Sequence, residues 1–195
     1  MFSKEFLDEK NIQWRNFKKN ELIFRQDQPP RYFYQIDHGS VKLFSVNEEG
    51  KEFIQRFFKA GESFGEPPLL GGFNYPVNAV ATEQTRVFYV PKERFFQWLM
   101  EHPKDHLKLT KKLARRLFYK SSLLKEISFE NPKHRIMALL NFLKQEEQKK
   151  GLFKVNFTRN EIANMTGLRI ETVIRTIKQL EKEKVLELRN KKIHL

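Results

Sequence analysis

Two hydrophobic periods divide the chain. Through the first hundred residues, apolar and polar positions alternate in short runs. Leu22–Phe24, Tyr32–Ile36, Val41–Phe44, Phe53–Phe58 and Val87–Val90 are rich in aromatic and β-branched residues, and each predicts a strand. Turn chemistry separates them at Gln26-Asp-Gln-Pro-Pro30, His38-Gly-Ser40 and Asn47-Glu-Glu-Gly50. Many short strands at close spacing predict an antiparallel β-sandwich or barrel-like roll. From Pro91 the pattern turns helical, with Phe95, Phe96, Leu99 and Met100 forming an amphipathic stripe.

Between about residues 104 and 129, Leu107, Thr110, Ala114, Leu117, Ser121, Leu124 and Ser128 recur at three- and four-residue steps. So narrow a heptad-like seam predicts pairing of one helix with another. An ordinary core-facing helix would leave a similar pattern, and on this stretch alone the two readings stand level. A second row, Leu109, Leu113, Leu123 and Ile127, is spaced to pack on the roll. The break comes at Ser128-Phe-Glu-Asn-Pro132, where the proline pushes the preceding residue out of helix and can itself open a new one. The expected organisation is therefore a roll over residues 1–100, a long helix and hinge over 101–130, and a C-terminal domain over 131–195.

Helical spacing resumes at Ile136, Leu139, Leu140 and Leu143 and ends in the charged run Gln145 to Lys150. Phe153–Phe157 then predicts a short strand. Thr158 is placed to cap a helix, and Glu161, three residues on, completes a capping box. Ile162, Ala163 and Met165 supply the buried face of that helix, Gly167 the tight turn, and Val173, Ile177 and Leu180 the buried face of a second. The pair predicts a helix-turn-helix. It leaves Glu171 and Arg175 on one exposed face, one turn apart. As a surface ion pair they would contribute a few tenths of a kcal/mol. On a recognition helix, Arg175 would donate to guanine O6 and N7, and Glu171 would accept from cytosine N4. Thr158, Arg159, Arg169, Ile170, Thr172 and Lys178 would then lie alongside as phosphate or flanking contacts, which position without specifying. Beyond Glu183, Val185–Leu188 and Lys192–Leu195 bracket Arg189-Asn-Lys191, a β-hairpin wing with a basic tip.

Charge sharpens this reading. Residues 1–100 hold fourteen basic and thirteen acidic side chains, and residues 101–195 hold twenty-three and eleven, so nearly all of the net +13 lies in the second half. A basic half of this kind suits a phosphate-rich partner, because each neutralised phosphate releases condensed counterions. Fourteen of the nineteen phenylalanines precede residue 100, which agrees with a separate aromatic-cored first domain. There is no cysteine, and this excludes disulfides, thiolate zinc sites and Cys-ligated iron–sulfur clusters. No basic-then-apolar leader opens the chain at Met1-Phe-Ser-Lys-Glu, and no apolar run approaches the ~18 residues needed to cross a bilayer. A cytoplasmic protein without membrane association is expected.

In this order, these residues resemble the Crp/Fnr family of bacterial transcription regulators, and the resemblance covers almost the whole chain. Its most specific part is Glu171-Thr-Val-Ile-Arg175, similar to the family's Glu-Thr-(Val/Ile)-x-Arg signature and preceded by Thr158-Arg-x-Glu-Ile162 and Gly167. In the roll, Tyr34-x-Ile-x-x-Gly39-x-Val41 and Gly61-Glu-x-Phe-Gly-Glu66 look like the family's effector-domain motifs. The resemblance implies an α+β fold with three parts: an N-terminal antiparallel β-roll of cyclic-nucleotide-binding type, a long dimerisation helix and a C-terminal winged helix-turn-helix. It implies a sequence-specific regulator that binds a pseudo-palindromic site in double-stranded DNA as a homodimer, with Glu171 and Arg175 reading bases. It also tilts the seam towards dimerisation. RNA polymerase and a small-molecule effector are the further partners it brings into view. Two positions depart from the pattern. Ile170 stands where some members have Arg and is closer to the oxygen-sensing branch; Arg169 stands where a small capping residue is common.

For the effector pocket, the resemblance implies Gly65 and Glu66, which match a Gly-Glu pair that holds a ribose, and the helical Ser121 and Ser122, where members touch the base. Ser121 and Ser122 read more simply as small, polar seam residues. The segment that would hold a cyclic phosphate reads Tyr75-Pro-Val-Asn-Ala-Val-Ala81, with no arginine between Lys59 and Arg86. A buried phosphate needs a charge partner or convergent N–H donors. The arginine is missing, and Pro67 and Pro68 remove two N–H groups beside Gly65 and Glu66. Cyclic AMP is therefore not expected, and the effector is unknown.

Other chemistry has thin support. His102 and His106 have helical metal-ligand spacing without a third ligand, and solvated positions at a helix start explain them better. A haem ligand among His38, His102, His106 and His134 is weighed against isolated structural or exposed histidines, the commoner case. Glu62 and Glu66 as an acid–base pair are better read as part of a loop turn, and Gly71-Gly72 as another turn. The competing class is a cupin-like small-molecule enzyme with a basic C-terminal extension. Such an enzyme needs a His-x-His…Glu metal grouping on its strands, and the roll holds only His38. No enzyme activity and no metal site are expected.

Overall fold

A computed structural model describes residues 12–128, 131–146 and 151–195, with the side chains of Leu123 and residues 126–128 left outside that description. The chain forms two compact units that divide between Ala114 and Arg115.

The first unit is a β-roll of eight strands: β1 (Gln13–Phe17), β2 (Leu22–Phe24), β3 (Tyr32–His38), β4 (Ser40–Val46), β5 (Glu52–Lys59), β6 (Ser63–Phe64), β7 (Asn78–Ala81) and β8 (Thr85–Pro91). They form two antiparallel four-stranded sheets, ordered β1-β8-β3-β6 and β2-β7-β4-β5. Inward-facing Tyr34, Ile36 and Val87 of the first sheet meet Phe24, Val41 and Phe58 of the second, the usual means by which two amphipathic sheets bury their apolar faces. Gly39 makes the tight link between β3 and β4. Its φ is +87°, and a Cβ there would lie 2.4 Å from Thr85 Oγ1 and 2.6 Å from the Gln84 carbonyl oxygen.

All five strands expected from periodicity are present; β1, β6 and β7 are additional. A short helix, α1 (Glu66–Gly71), replaces the turn expected at Glu66. Its sequence, Glu-Pro-Pro-Leu-Leu-Gly, discourages a helical reading. Both prolines nevertheless sit in the first turn, where N–H groups have no intrahelical acceptor. Gly72, at φ +72°, ends it. Glu62 does belong to a turn, accepting the Lys59 N–H at 2.8 Å and Arg56 Nη2 at 2.9 Å.

Two helices complete the unit and begin the next: α2 (Lys92–Glu101) and α3 (Pro103–Ser128). The expected stripe on α2 is shifted. Phe95, Trp98 and Leu99 are buried, whereas Met100 is 77% exposed, one step round the helix from the packed face. With Phe33 of β3 and Leu69 of α1, those three residues form a second core on the outer face of the first sheet, and Leu109 of α3 is buried in it with Leu113 packed alongside. The seam row of α3 faces the other way. Leu107, Leu117 and Leu124 are 54%, 66% and 65% exposed, and Thr110, Ala114 and Ser121 are exposed with them. Ser128, Leu123 and Ile127 of the two predicted rows lie outside the described side chains.

In the second unit, Tyr119 of α3 stacks on Phe142 of α4 (Pro132–Glu146), with ring centroids 3.5 Å apart. Helices α5 (Arg159–Thr166) and α6 (Ile170–Lys182) follow, then the hairpin β9 (Glu187–Arg189) and β10 (Lys192–His194). Buried Ile136, Leu139 and Leu140 of α4, Ile162 of α5, and Val173, Ile177 and Leu180 of α6 form its core. The strand predicted at Phe153–Phe157 is a partial one. Lys154 makes an isolated bridge to His194. Phe153 and Val155 N–H groups donate to Leu195 and Ile193 carbonyls at 2.8 and 2.9 Å, so the segment lies along β10 as an irregular third line of the wing sheet.

Candidate nucleic-acid interface

The helix-turn-helix is fixed by its ends. Thr158 Oγ1 accepts the Glu161 N–H at 3.2 Å, and Glu161 Oε2 accepts the Thr158 N–H at 2.7 Å, a reciprocal capping box that starts α5. Gly167, at φ +69°, ends it, and its N–H reaches back to the Ala163 carbonyl. Arg169 is the N-cap of α6 in extended conformation and supplies no side-chain cap. The first amides of α6 would therefore meet a phosphate brought to that end.

Along α6 the burial splits cleanly. Val173, Thr176, Ile177 and Leu180 are buried, while Glu171, Ile174, Arg175 and Lys178 are exposed. The exposed four stand at i, i+3, i+4 and i+7, which is one face of a helix. Among the described residues, neither Glu171 nor Arg175 forms an ion pair. The surface salt bridge that their spacing allows is not made, and both heads face solvent. Arg169 is exposed at the helix start, and Ile170 and Thr172 are half-buried beside it.

Ile174 was not anticipated. An isoleucine inside an apolar-periodic helix reads as core, but this one is 40% exposed. The signal that finds it is its position three residues after Glu171 and four before Lys178. A side chain of this kind on such a face can meet a thymine methyl.

The wing sits beside the first helix of the pair. Asn190 and Lys191, at φ +50° and +62°, make the two-residue turn that suits the twist of a hairpin. Arg159 Nη2 donates to the Lys191 carbonyl at 3.3 Å, tying α5 to the wing tip. Burial lowers the guanidinium's pKa, and nearby Glu181 opposes that shift. Arg189 pairs with Glu187 within the hairpin at 2.7 Å.

The expected effector residues are divided between the units. Gly65, at φ +76°, caps α1, and a Cβ there would touch Phe24 and Tyr75 at 3.4 Å. Glu66 is fully buried. The ring of Tyr75 stacks on Phe24 with centroids 3.7 Å apart, and Tyr34 stacks on Phe64. Burial pushes the Tyr34 hydroxyl up to about 12 and the Tyr75 hydroxyl higher still. In the second unit, Ser121 is exposed and Ser122 donates to the Phe118 carbonyl of its own helix at 3.0 Å. Where a phosphate-binding segment would lie, Tyr75, Val77, Ala79 and Ala81 point into the roll's core. Aromatic and small apolar groups thus make up the inward face of this segment.

His102 is half-buried rather than solvated, with its ring stacked on Trp98 at 3.4 Å between centroids and Nδ1 3.1 Å from the Trp98 carbonyl oxygen. Among the described residues, no three His, Asp or Glu side chains are grouped to hold a metal ion, and no helix is long and apolar enough to cross a membrane.

Comparison with known proteins adds to this geometry. A cyclic nucleotide-binding domain model matches residues 14–102, and a Crp-like helix-turn-helix domain model matches residues 134–195. The transcriptional activator protein Anr of Pseudomonas aeruginosa is 29% identical over 196 residues, covering 97% of this chain and 79% of that protein. The cAMP-activated global transcriptional regulator CRP of Haemophilus influenzae is 32% identical over 180 residues, covering 90% and 80%. Of solved structures, FixK2 from Bradyrhizobium japonicum superposes with a TM-score of 0.76 at 23% identity, covering 94% of this chain and 92% of that one. The Thermus thermophilus catabolite activator protein superposes with a TM-score of 0.57 at 30% identity, covering 94% and 85%.

Proposed function

This chain belongs to the Crp/Fnr family of transcription regulators, and from that premise we propose that it binds a pseudo-palindromic DNA site as a homodimer, reading each half with Glu171 and Arg175. It is a DNA-binding regulator and not an enzyme; the cupin-like alternative is set aside. The observation that carries the base-reading assignment is the unpaired, exposed face of α6. Two ionised heads one turn apart that decline to pair with each other remain available to base edges. Ile174 joins them as an apolar contact. Arg169, Thr172 and Lys178 serve as phosphate contacts, with Ile170, Thr158 and Arg159 flanking. In this reading the functional division is a sensor roll over 1–100, a dimerisation helix and hinge over 101–130, and a DNA-binding domain over 131–195. The site of action is the cytoplasm, where the DNA is, and RNA polymerase is the further macromolecular partner.

Selection of bound sequences from random duplexes by mobility shift tests the proposal. The expected product is a pseudo-palindrome with half-site centres ~34 Å apart and a G·C pair read in each half. A selection that enriches no motif would end the base-reading assignment.

Cyclic AMP is not expected to serve as an effector of this regulator, whose roll acts either as a sensor or as a scaffold not gated by ligand. A cyclic phosphate brought into the roll would lose its hydration against Tyr75, Val77 and Ala79 without gaining a cation, and burying an unpaired charge is strongly unfavourable. Titration calorimetry with cyclic AMP should register no binding in the micromolar range. A micromolar dissociation constant would overturn this.

A further inference from the structure

Beneath α3, the first unit buries a small polar cluster inside its second core. Gln35, Ser63 and Glu66 are 3%, 2% and 0% exposed. Gln35 of β3 and Ser63 of β6 are direct register partners, so their side chains leave the same face of the sheet. By the alternation of β3 this is also the face of Phe33, which packs with Phe95, Trp98 and Leu109. The Ser63 hydroxyl donates to Glu66 Oε1 at 2.5 Å. From α3, one turn past Leu109, Lys112 Nζ donates to Ser63 Oγ at 3.0 Å. Gln35 Oε1 is buried and has no hydrogen-bond partner among the described residues.

An amide oxygen, a hydroxyl and a carboxylate set together among aromatic and aliphatic side chains are a group of acceptors carrying one negative charge. Such a group is costly to bury unless a cationic donor serves it, and an ammonium offers three N–H donors from a single point. Lys112 reaches it from a helix whose neighbouring apolar side chains, Leu109 and Leu113, already hold that face against the roll.

We propose that Ser63 and Glu66, with Gln35 beside them, form a primary-ammonium site whose resident ligand is the chain's own Lys112, bound through Ser63 Oγ, an internal ligand that fastens the first half of α3 to the roll. Glu66, which in the family resemblance would hold an external effector, here serves a cation supplied from within. The helix that carries the dimer seam is then held without an added molecule. The site stands on the geometry of the first unit alone, while its consequence for DNA binding rests on the chain being a dimeric regulator.

Chemical rescue tests it. Lys112→Ala should lower the melting temperature by roughly 4–10 °C and speed amide hydrogen exchange across residues 103–114 by about tenfold or more. Millimolar n-butylammonium chloride should restore both, and sodium chloride at the same ionic strength should restore neither. Adding Glu66→Gln to that variant should abolish the rescue. Absence of rescue, or equal rescue by sodium chloride, overturns the ammonium site. Should Lys112→Ala fail to fold, Ser63→Ala in the otherwise unchanged chain carries the test: it should open the same stretch of α3 to exchange, and unchanged protection there overturns the proposal. Melting and exchange are read without DNA, so failure of the ammonium site and failure of the DNA-reading proposal are separate results.

Discussion

The double substitution Leu117→Lys with Leu124→Lys is expected to yield a folded monomer that binds the full two-fold site roughly 10²–10⁴-fold more weakly while binding an isolated half-site about as well as the parent protein. Both leucines are largely exposed in the single chain, so their own unit loses little when they become polar. A helix that presents Leu107, Leu117, Phe118 and Leu124 to solvent carries more apolar surface than a lone protein has use for. Between them, Thr110, Ala114 and Ser121 are small enough to let a second helix approach closely. Two-fold symmetry sets each substituted position against its own copy, so added charge meets like charge. Lysine is the effective choice because Arg115, Arg116, Lys120 and Lys125 already make this stretch basic, and an acidic replacement would be neutralised by them. Without the dimer, the second half-site is no longer delivered by an intramolecular step, and that is the source of the large loss. Sedimentation gives the oligomeric state, and gel-shift titration on full and half sites gives the two affinities. A double variant that still sediments as a dimer with parental affinity would remove the seam from the account.

The two faces of α3 show what the sequence carries and what it withholds. Both apolar rows were legible as three- and four-residue steps, but periodicity has no means of saying which row meets its own domain. Leu109 and Leu113 go to the roll because Phe33 on the outer face of the first sheet and Phe95 of α2 offer apolar surface to pack on, and the Leu117 row is left outward. In the roll, strands built from aromatic and β-branched residues were legible, whereas β1 was not. Four of its five residues are exposed, so it has almost no alternation, and it is held by pairing with β8. Strand β7 is built on Ala79 and Ala81, whose weak β-propensity hides them. Prolines concealed α1. In the helix-turn-helix, by contrast, capping, turn glycine and apolar spacing all agree, and consistency between local signals is what makes a segment readable. The acceptor cluster at Glu66 was out of reach for another reason. Ser63 and Lys112 are 49 residues apart, and nothing local marks them as neighbours.

Arg175→Ala should cost about 1–3 kcal/mol in each half-site, or roughly 5- to 150-fold, and relax preference at one base pair there. The loss should fall on specific DNA alone. Arg175 is exposed and forms no ion pair among the described residues, so truncating it removes no internal support and the melting temperature should hold. On the proposed reading, what disappears is a bidentate donor to a guanine edge, whose discriminating value comes from the unmet acceptors left on the base. Glu171→Ala should relax the same pair less, because a single accepting contact to cytosine is lost and a repulsion toward other bases is lost with it. Lys178→Ala provides the contrast. As a phosphate contact it should weaken specific and random duplexes alike and reduce the slope of log affinity against log salt by about one. The three variants therefore separate by pattern rather than by size, in one set of titrations on the selected site, a point-mutated site and random DNA at two salt concentrations. If Arg175→Ala weakens specific and random DNA equally, the residue is a phosphate contact, and sequence reading must be assigned to other side chains on α6.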